Sequence, residues 1–275
     1  MRKNDFILRE NHEIPYYSCA AFESYPWLRH GFSTRSGGAP QASTQVGNGQ
    51  DTSLNLNMTS WDSPERVGEN RRRFLAALDM ENATLITLNQ IHSDKVHVVT
   101  DRSVSELAIE GDALITQEKN VAIAIKTADC FPLLLVDPVH RAVGAVHSGW
   151  RGTLSNIVSC TIEEMSRYFN SDPTEIMVAL GPGIRDCCFE VDEDVARLFM
   201  EAYPEIIPAL PISGRPGKFS VNLAKILHAQ LTRVGVPTRN QYDLGICPCC
   251  NTREFFSYRA EGTSSGRMMS IITIR

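Results

Sequence analysis

Short apolar runs separated by turn-forming residues dominate the middle of this chain. Four of them, rich in β-branched and other apolar residues, follow one another between residues 112 and 147: DALIT, VAIAIK, FPLLLVD and AVGAVH. Runs of this length, bounded by Asp, Asn and Pro, predict a block of consecutive strands. The segment ATLITLNQIHSDKVHVVT predicts two earlier strands, and EIMVALG, EFFSYR and RMMSIITI predict three later ones.

Four other segments carry apolar residues at the three- and four-residue spacing of a helix. In SPERVGENRRRFLAALDM, Ser63 is expected to cap the helix and Pro64 to occupy its first turn. The same spacing predicts helices in TLSNIVSCTIEEMSRYF, DEDVARLFMEAY and VNLAKILHAQLTRVG, the last one stopped by Gly235. Because strand pairs and helices are mixed along the chain, we expect an α/β fold with mixed rather than purely parallel sheets.

Nothing in the sequence marks a division into two domains. It contains no low-complexity segment, short repeat or obvious linker, so residues 1–275 are expected to form a single domain. Residues 36–53, SGGAPQASTQVGNGQDTS, are rich in Gly, Ser and Gln and are interpreted as a long surface loop.

Charge and composition argue against several classes of partner. The net charge is −5, and the densest basic cluster, Arg71 to Arg73, falls within a predicted helix, so we expect neither nucleic-acid nor membrane binding. The first residues lack the apolar core of a signal peptide, and no run approaches the ~18 apolar residues of a spanning helix. We therefore expect a cytoplasmic protein whose eight cysteines are reduced thiols rather than a disulfide framework.

Three residues with metal-binding side chains lie at or near the ends of predicted strands. Cys130 precedes one apolar run, His147 ends another, and His92 lies in the polar segment NQIHSD. Singly, such a cysteine usually packs as a small apolar residue, and such a histidine is usually a satisfied polar group. Together, two imidazoles and a thiolate suffice for Zn²⁺ with its fourth position open, as in catalytic zinc sites. Gly149 permits close backbone approach beside them, and Trp150 offers an aromatic face.

Around these residues the sequence resembles a known family. The motifs that carry the resemblance run from about Arg29 to the C-terminus: RHGFSTRSGG, SLNL, ENRRRFLAAL, NQIHSDKVHVV, GDALIT, TADCFPLLLVDP, AVGAVHSGWRGT, ALGPGIRDCCFEV and FFSYR. They are similar to the YfiH or laccase-domain family, formerly labelled polyphenol oxidase and now regarded as zinc-dependent purine nucleoside phosphorylases. The resemblance implies a four-layer α/β/β/α fold, shared with the catalytic domain of cytotoxic necrotizing factor toxins.

The resemblance also implies a site and a reaction. A catalytic His–Cys–His site with one zinc ion per chain falls on His92, Cys130 and His147. The implied activity is phosphorolysis of adenosine, inosine, guanosine and 5′-methylthioadenosine, with some adenosine deamination. Purine nucleosides and inorganic phosphate are therefore the expected partners, and a monomer or homodimer is expected.

Phosphorolysis also needs a cationic group for phosphate. Arg35, in FSTRSGG, is the main candidate for phosphate binding and catalysis, because a guanidinium matches the geometry of phosphate oxygens and the adjacent glycines permit close approach. Arg151 and Arg259 are weaker candidates of the same kind.

Two segments depart from the family pattern, and neither contains a metal ligand. The chain has FFSYRAEGTSSGR, which is longer than the usual closing segment and lacks its second Arg. It also has NMTSWD after SLNL, where the family usually begins with Gly. Both departures bear on substrate preference.

The residues leave other functions open. Cys130 as nucleophile and His147 as base would make a thiol hydrolase, which would give His92 no role. A copper-dependent polyphenol oxidase is disfavoured, because multicopper oxidases hold a trinuclear cluster with H-x-H pairs and the seven histidines include none. A nucleoside-binding module without turnover would share the same pocket.

The remaining cysteine motifs allow a second metal site. CPCC, from Cys247 to Cys250, could combine with Cys187 and Cys188 to form a thiolate zinc site. Since family members carry similar cysteines without a known second metal, we expect buried, reduced thiols there instead.

Overall fold

Two six-stranded sheets packed face to face form the centre of the fold. The computed structural model describes residues 5–40, 52–100, 109–206 and 209–275. Most of the predicted 36–53 loop lies outside the described residues. Within these ranges, no helix has the length and apolar composition needed to cross a membrane.

The first sheet joins the two ends of the chain. Its strands are numbered along the chain, and their spatial order is β1 (Phe6–Asn11), β2 (Ile14–Cys19), β3 (Leu28–Ser33), β15 (Met268–Ile274), β7 (Val121–Thr127) and β4 (Thr84–Ile86). All neighbours are antiparallel except β4 and β7. Helix α1 (Pro64–Ala77) packs its Phe74 against the outer face of this sheet, at Ala124 and Ile271. Ser63 caps α1 as predicted, accepting a hydrogen bond from the backbone N of Arg66.

The second sheet carries most of the remaining helices. Its strands, in spatial order, are β14 (Gln241–Asp243), β10 (Met177–Leu180), β8 (Phe131–Asp137), β9 (Ala142–Ser148), β6 (Ala113–Thr116) and β5 (Val96–Val98). Its outer side is covered by α2 (Trp150–Leu154), α3 (Ile157–Phe169), α4 (Glu193–Ala202) and α5 (Leu223–Arg233). A small sheet of β11 (Glu190–Asp192), β13 (Lys218–Val221) and β12 (Ala209–Pro211) lies beside α4, and α6 (Tyr258–Glu261) precedes β15.

Strand β8 shows why the central runs are apolar throughout. Leu133 and Leu135 pack toward the helices, whereas Leu134 and Val136 pack into the layer between the sheets, opposite Ile123 and its neighbours on β7. A strand buried on both faces cannot alternate apolar and polar residues. The resulting order of layers is helix, sheet, sheet, helix, which confirms the predicted four-layer α/β/β/α fold with mixed sheets.

Two sequence predictions of secondary structure are wrong. The helix predicted across 153–169 is two helices, because Asn156 adopts a left-handed backbone conformation (φ 58°) between α2 and α3. EFFSYR is not a strand: Phe255 and Phe256 are both buried in one small cluster with Met268, which alternation would prevent. Ser257 then begins α6 by accepting a hydrogen bond from the backbone N of Ala260.

Candidate metal centre

The pairing of β8 with β9 brings two of the predicted ligands to one edge of the second sheet. Pro132 pairs with His147, so Cys130, which precedes β8, lies beside the end of β9. His92 lies in the connection between β4 and β5 and faces them, with its ring 4.9 Å from that of His147, centroid to centroid. The ligand atoms of His92, Cys130 and His147 all lie within 4.8 Å of one another. The structure thus brings together the three residues that the sequence placed there.

Asp112 fixes the orientation of His147. Its buried carboxylate lies 2.7 Å from Nδ1 of His147 and accepts hydrogen bonds from the backbone N of His92 and from the backbone N and Oγ of Ser93. Because an ionised carboxylate only accepts, Nδ1 of His147 donates and Nε2 is left for a metal. Sequence analysis gave Asp112 no role; its only signal was an acidic residue at the start of the buried run DALIT.

The charged forms of Asp112, Cys130 and His147 stabilise one another. Burial alone would raise the pKa of Asp112, but hydrogen bonds from His147 and Ser93 outweigh it and lower the pKa to about 2. Burial also opposes ionisation of Cys130, yet the charge and hydrogen bonds of His147, with those of His92, lower its pKa to about 6. Burial would lower the pKa of His147, but the negative charges of Cys130 and Asp112 raise it to about 9. The site therefore holds a thiolate at neutral pH.

Close backbone approach is needed at Gly149. A Cβ atom there would lie 2.8 Å from Cδ2 of His92 and 3.0 Å from Sγ of Cys130, so any larger residue would displace a ligand. His92 itself has a left-handed backbone (φ 60°), held by the hydrogen bond from its N to Asp112. The backbone at Gly149 and His92 is therefore constrained by the close packing of His92, Cys130 and Asp112.

His92, Cys130 and His147 line a cavity of about 980 Å³. A cavity of this volume can hold a nucleoside and a phosphate together. Aromatic side chains of Trp150, Phe189 and Tyr258 line it, and so do four cationic side chains, Arg71, Lys126, Arg259 and Arg267. The sequence pattern does not single out Arg71, Lys126 or Arg267 as cavity residues. Arg71 belongs to a basic cluster on a predicted helix, and Lys126 ends a predicted strand.

The predicted arginines occupy different places. Arg259 lines the cavity, and its guanidinium donates to the carbonyl oxygens of Cys188 (2.9 Å) and Glu190 (3.1 Å). Arg35 does not line the cavity: its guanidinium pairs with Glu261 at 2.6 Å and stacks over Phe256. Arg151 is exposed, with its guanidinium 4.2 Å from the ring of Trp150, and is also outside the cavity lining. Of the three, the structure places only Arg259 at the cavity wall.

Asp129 links Arg259 to the ligand cluster. Its carboxylate accepts hydrogen bonds from the hydroxyl of Ser257 (2.7 Å) and the backbone N of Arg259 (2.6 Å), and Cys130 is the next residue. Asp129 has a left-handed backbone (φ 91°) in the connection that crosses from β7 to β8. The loop that carries Cys130 is therefore tied directly to the segment that carries Arg259.

Comparisons with known proteins identify the family. Residues 29–275 match a family model described as multi-copper polyphenol oxidoreductase laccase. A purine nucleoside phosphorylase from Deinococcus radiodurans is 39% identical over 246 residues, with 88% of each chain covered. A protein named adenosine deaminase RL5, from an unknown prokaryotic organism, is 34% identical over 213 residues, which cover 75% of this chain and 81% of the relative. The crystal structure of the hypothetical protein YfiH from Bacillus licheniformis has a TM-score of 0.84 at 26% identity, covering 99% of this chain and 100% of that one. This chain therefore belongs to the laccase-like YfiH family.

Proposed function

We propose that this chain is a zinc-dependent purine nucleoside phosphorylase. The observation that carries the proposal is a three-ligand donor set that opens into a cavity lined by both aromatic and cationic side chains. A purine nucleoside offers a planar base, and phosphate brings negative charge, so this combination of surfaces suits the two substrates together. The relative from Deinococcus radiodurans, named as a purine nucleoside phosphorylase, supports the assignment.

The donor set favours zinc over copper. Two imidazoles and one thiolate leave the fourth position of a tetrahedral ion open, as in catalytic zinc sites. The family description names multicopper chemistry, but the seven histidines include no H-x-H pair of the kind that holds a trinuclear copper cluster. When bound, zinc would supply a Lewis acid at the cavity wall. His92, Cys130 and His147 would hold it, and Asp112 keeps a proton on Nδ1 of His147.

The cationic side chains are proposed to hold phosphate. In phosphorolysis, a phosphate oxygen bonds to C1′ of the ribose while the bond from C1′ to the purine nitrogen breaks and the purine takes the bonding electrons. Arg259 on α6, Arg267 just before β15 and Lys126 on β7 all line the cavity, so phosphate can meet positive charge from three elements of the fold. Trp150 and Phe189 supply flat apolar surface for the base.

The nucleosides proposed are adenosine, inosine, guanosine and 5′-methylthioadenosine. Deamination of adenosine is proposed as a side activity, which the relative named adenosine deaminase RL5 supports. Both segments that depart from the family pattern contribute to the cavity wall, with Asn57 and Met58 from one and Tyr258 from the other. The preference among these nucleosides is therefore expected to depend on those two segments.

The proposal is tested by following free base and ribose 1-phosphate from inosine and adenosine, with and without inorganic phosphate, and measuring zinc in the same sample. We expect base release to require phosphate and to match ribose 1-phosphate formation. His92→Ala should abolish both products, whereas His140→Ala, which changes a histidine outside the cavity lining, should leave both unchanged. Equal base release without phosphate would indicate a hydrolase and contradict the proposal.

One observation favours a second candidate, a thiol hydrolase. Cys130 has a lowered pKa, His147 lies beside it, and Asp112 orients His147. These are the three groups that a Cys–His–Asp catalytic triad requires. His92 separates the two candidates, because a thiol nucleophile does not need a second imidazole 3.9 Å from its sulfur. A hydrolase would retain its turnover after strong chelation and after His92→Ala, and a zinc enzyme would lose it in both cases.

A further inference from the structure

Four cysteine sulfurs converge at a second place, apart from the metal centre. Cys187 and Cys188 lie in the turn after β10, and Cys247 and Cys250 lie in the turn after β14. Their four sulfur atoms all lie within 4.8 Å of one another. All eight cysteines are free thiols, as predicted, but the prediction that this group is buried is wrong for Cys187 and Cys250, which are exposed. We propose that Cys187, Cys188, Cys247 and Cys250 form a closed four-thiolate site for a second zinc ion.

The distances suit a metal better than a disulfide. Four sulfurs bound to zinc at about 2.3 Å sit at the corners of a tetrahedron with edges of roughly 3.8 Å. Two pairs in the cluster, Cys188 with Cys250 at 3.3 Å and Cys187 with Cys250 at 3.5 Å, lie near that edge length. A disulfide would need about 2.05 Å between two sulfurs. A single disulfide would also join only two of the four sulfurs, so it would not by itself account for the convergence of all four.

The backbone around Cys247 is arranged to support a thiolate. Cys247 and Cys250 have the C-x-x-C spacing, and Pro248 begins a 3₁₀ turn that brings both sulfurs to the same side. The backbone N–H of Arg185 donates to Sγ of Cys247 at 3.5 Å, a contact that favours a thiolate there.

The position of the cluster indicates a structural role near the cavity. It joins two turns about 60 residues apart in sequence, as the separation of Cys187 from Cys250 (63 residues) shows. The first turn carries Phe189, which lines the cavity, and the carbonyl of Cys188 accepts a hydrogen bond from Arg259. A metal at the cluster would therefore hold the cavity wall and the guanidinium of Arg259 in place, much as a cross-link would.

Zinc stoichiometry tests the proposal without reference to activity. Protein purified under reducing conditions should contain two zinc ions per chain, rather than the one expected from sequence. The Cys187→Ser/Cys250→Ser variant should lose one ion, His92→Ala should lose the other, and their combination should lose both. Cys160→Ser is the matched control, because Cys160 lies on α3 outside the cluster, and it should keep two. One zinc per chain in the wild type, retained by the Cys187→Ser/Cys250→Ser variant, would overturn the proposal.

A second measurement on the unaltered chain guards against variants that fail to fold. Cobalt(II) reconstitution should give intense sulfur-to-metal charge-transfer absorption and the visible bands of a tetrahedral four-sulfur site, which one thiolate at Cys130 cannot produce. Mass spectrometry without reductant should find no disulfide from Cys250 to either Cys187 or Cys188 in the metal-loaded protein. A disulfide there, or a cobalt spectrum accounted for by a single thiolate, would contradict the second site.

Discussion

At the scale of single residues, the proposed metal centre depends on Asp112, which is not one of the three proposed ligands. It receives N–H donors from the segment that carries His92 and also orients His147, so one buried carboxylate positions two of the three ligands. Occupancy of this site can be followed separately from the four-cysteine cluster, because bound zinc should protect the single peptide that contains Cys130 from alkylation.

Asp112→Asn should weaken zinc binding at this site by about 10- to 100-fold, because the amide no longer supplies the charge that fixes Nδ1–H of His147. The measurement is the free zinc concentration that half-protects Cys130. The matched control is Asp137→Asn, since Asp137 is another buried carboxylate that pairs with a histidine, His140, outside the cavity lining. If Cys130 is half-protected at the same free zinc concentration in both variants, Asp112 does not position the ligands.

The pH dependence of zinc binding follows from the two shifted groups. Between pH about 6 and about 9, the metal-free site holds an ionised Cys130 and a protonated His147. Zinc then displaces one proton, from Nε2 of His147, so affinity rises with pH. Near pH ~8 the half-protecting concentration should fall about tenfold per pH unit. A flat response, or a hundredfold fall per unit, would show that these protonation states are wrong.

Substrate binding at the residue scale is tested at Arg267. Its guanidinium lies over the ring of Tyr258 at the cavity wall. Arg267→Gln should raise the KM for phosphate by roughly tenfold or more, with a smaller effect on the KM for inosine, because a charge-assisted contact to phosphate is lost. Zinc content should not change. Arg253→Gln is the control, since Arg253 is exposed and lies outside the cavity lining. If the KM for phosphate is the same in both variants, Arg267 does not bind phosphate.

At the scale of elements, the strands that hold the site were predictable and several others were not. β7, β8 and β9 are continuous apolar runs because they are buried at the centre of the fold. β1 was missed because it is an edge strand with exposed residues, and its pattern carries little hydrophobic signal. The break between α2 and α3 depends on the left-handed backbone of Asn156, which hydrogen-bonds Gln230 from a distant helix. Contacts of that kind cannot be inferred from local periodicity.

The end of β9 gives a prediction at this scale. Gly149→Ala should lower zinc affinity at the Cys130 site, because the added Cβ would lie 2.8 Å from the His92 ring and force it away. Gly68→Ala is the control: Gly68 lies in α1 with open space around its Cβ position, so alanine there should stabilise the fold by about 0.5–1 kcal/mol and leave zinc binding unchanged. Unchanged zinc affinity in Gly149→Ala would mean that the His92 ring can move aside and still bind zinc equally well.

At the scale of the whole molecule, the site is assembled from segments that lie far apart in sequence. The three proposed metal ligands were predictable because each lies at or near the end of an apolar run within a family motif. The cations were largely unpredictable because Arg71, Lys126 and Arg267 come from α1, from β7 and from the segment just before β15. Only the packing of α1 against the first sheet, in which β7 and β15 are neighbours, brings them to one cavity. Nor could the loop context of Arg35 show that Glu261 would pair with its guanidinium.

The role of Cys130, as a metal ligand or as a nucleophile, separates the proposed zinc enzyme from a thiol hydrolase. The decisive measurement is the rate at which Cys130 is alkylated, followed by mass spectrometry of its peptide, before and after treatment with a strong chelator. In the zinc-loaded enzyme we expect slow alkylation, an increase of at least ~10-fold after chelation together with loss of activity, and reversal of both by zinc alone. Rapid alkylation of Cys130 in the untreated enzyme, with turnover that survives the chelator, would contradict the zinc site and support a thiol hydrolase.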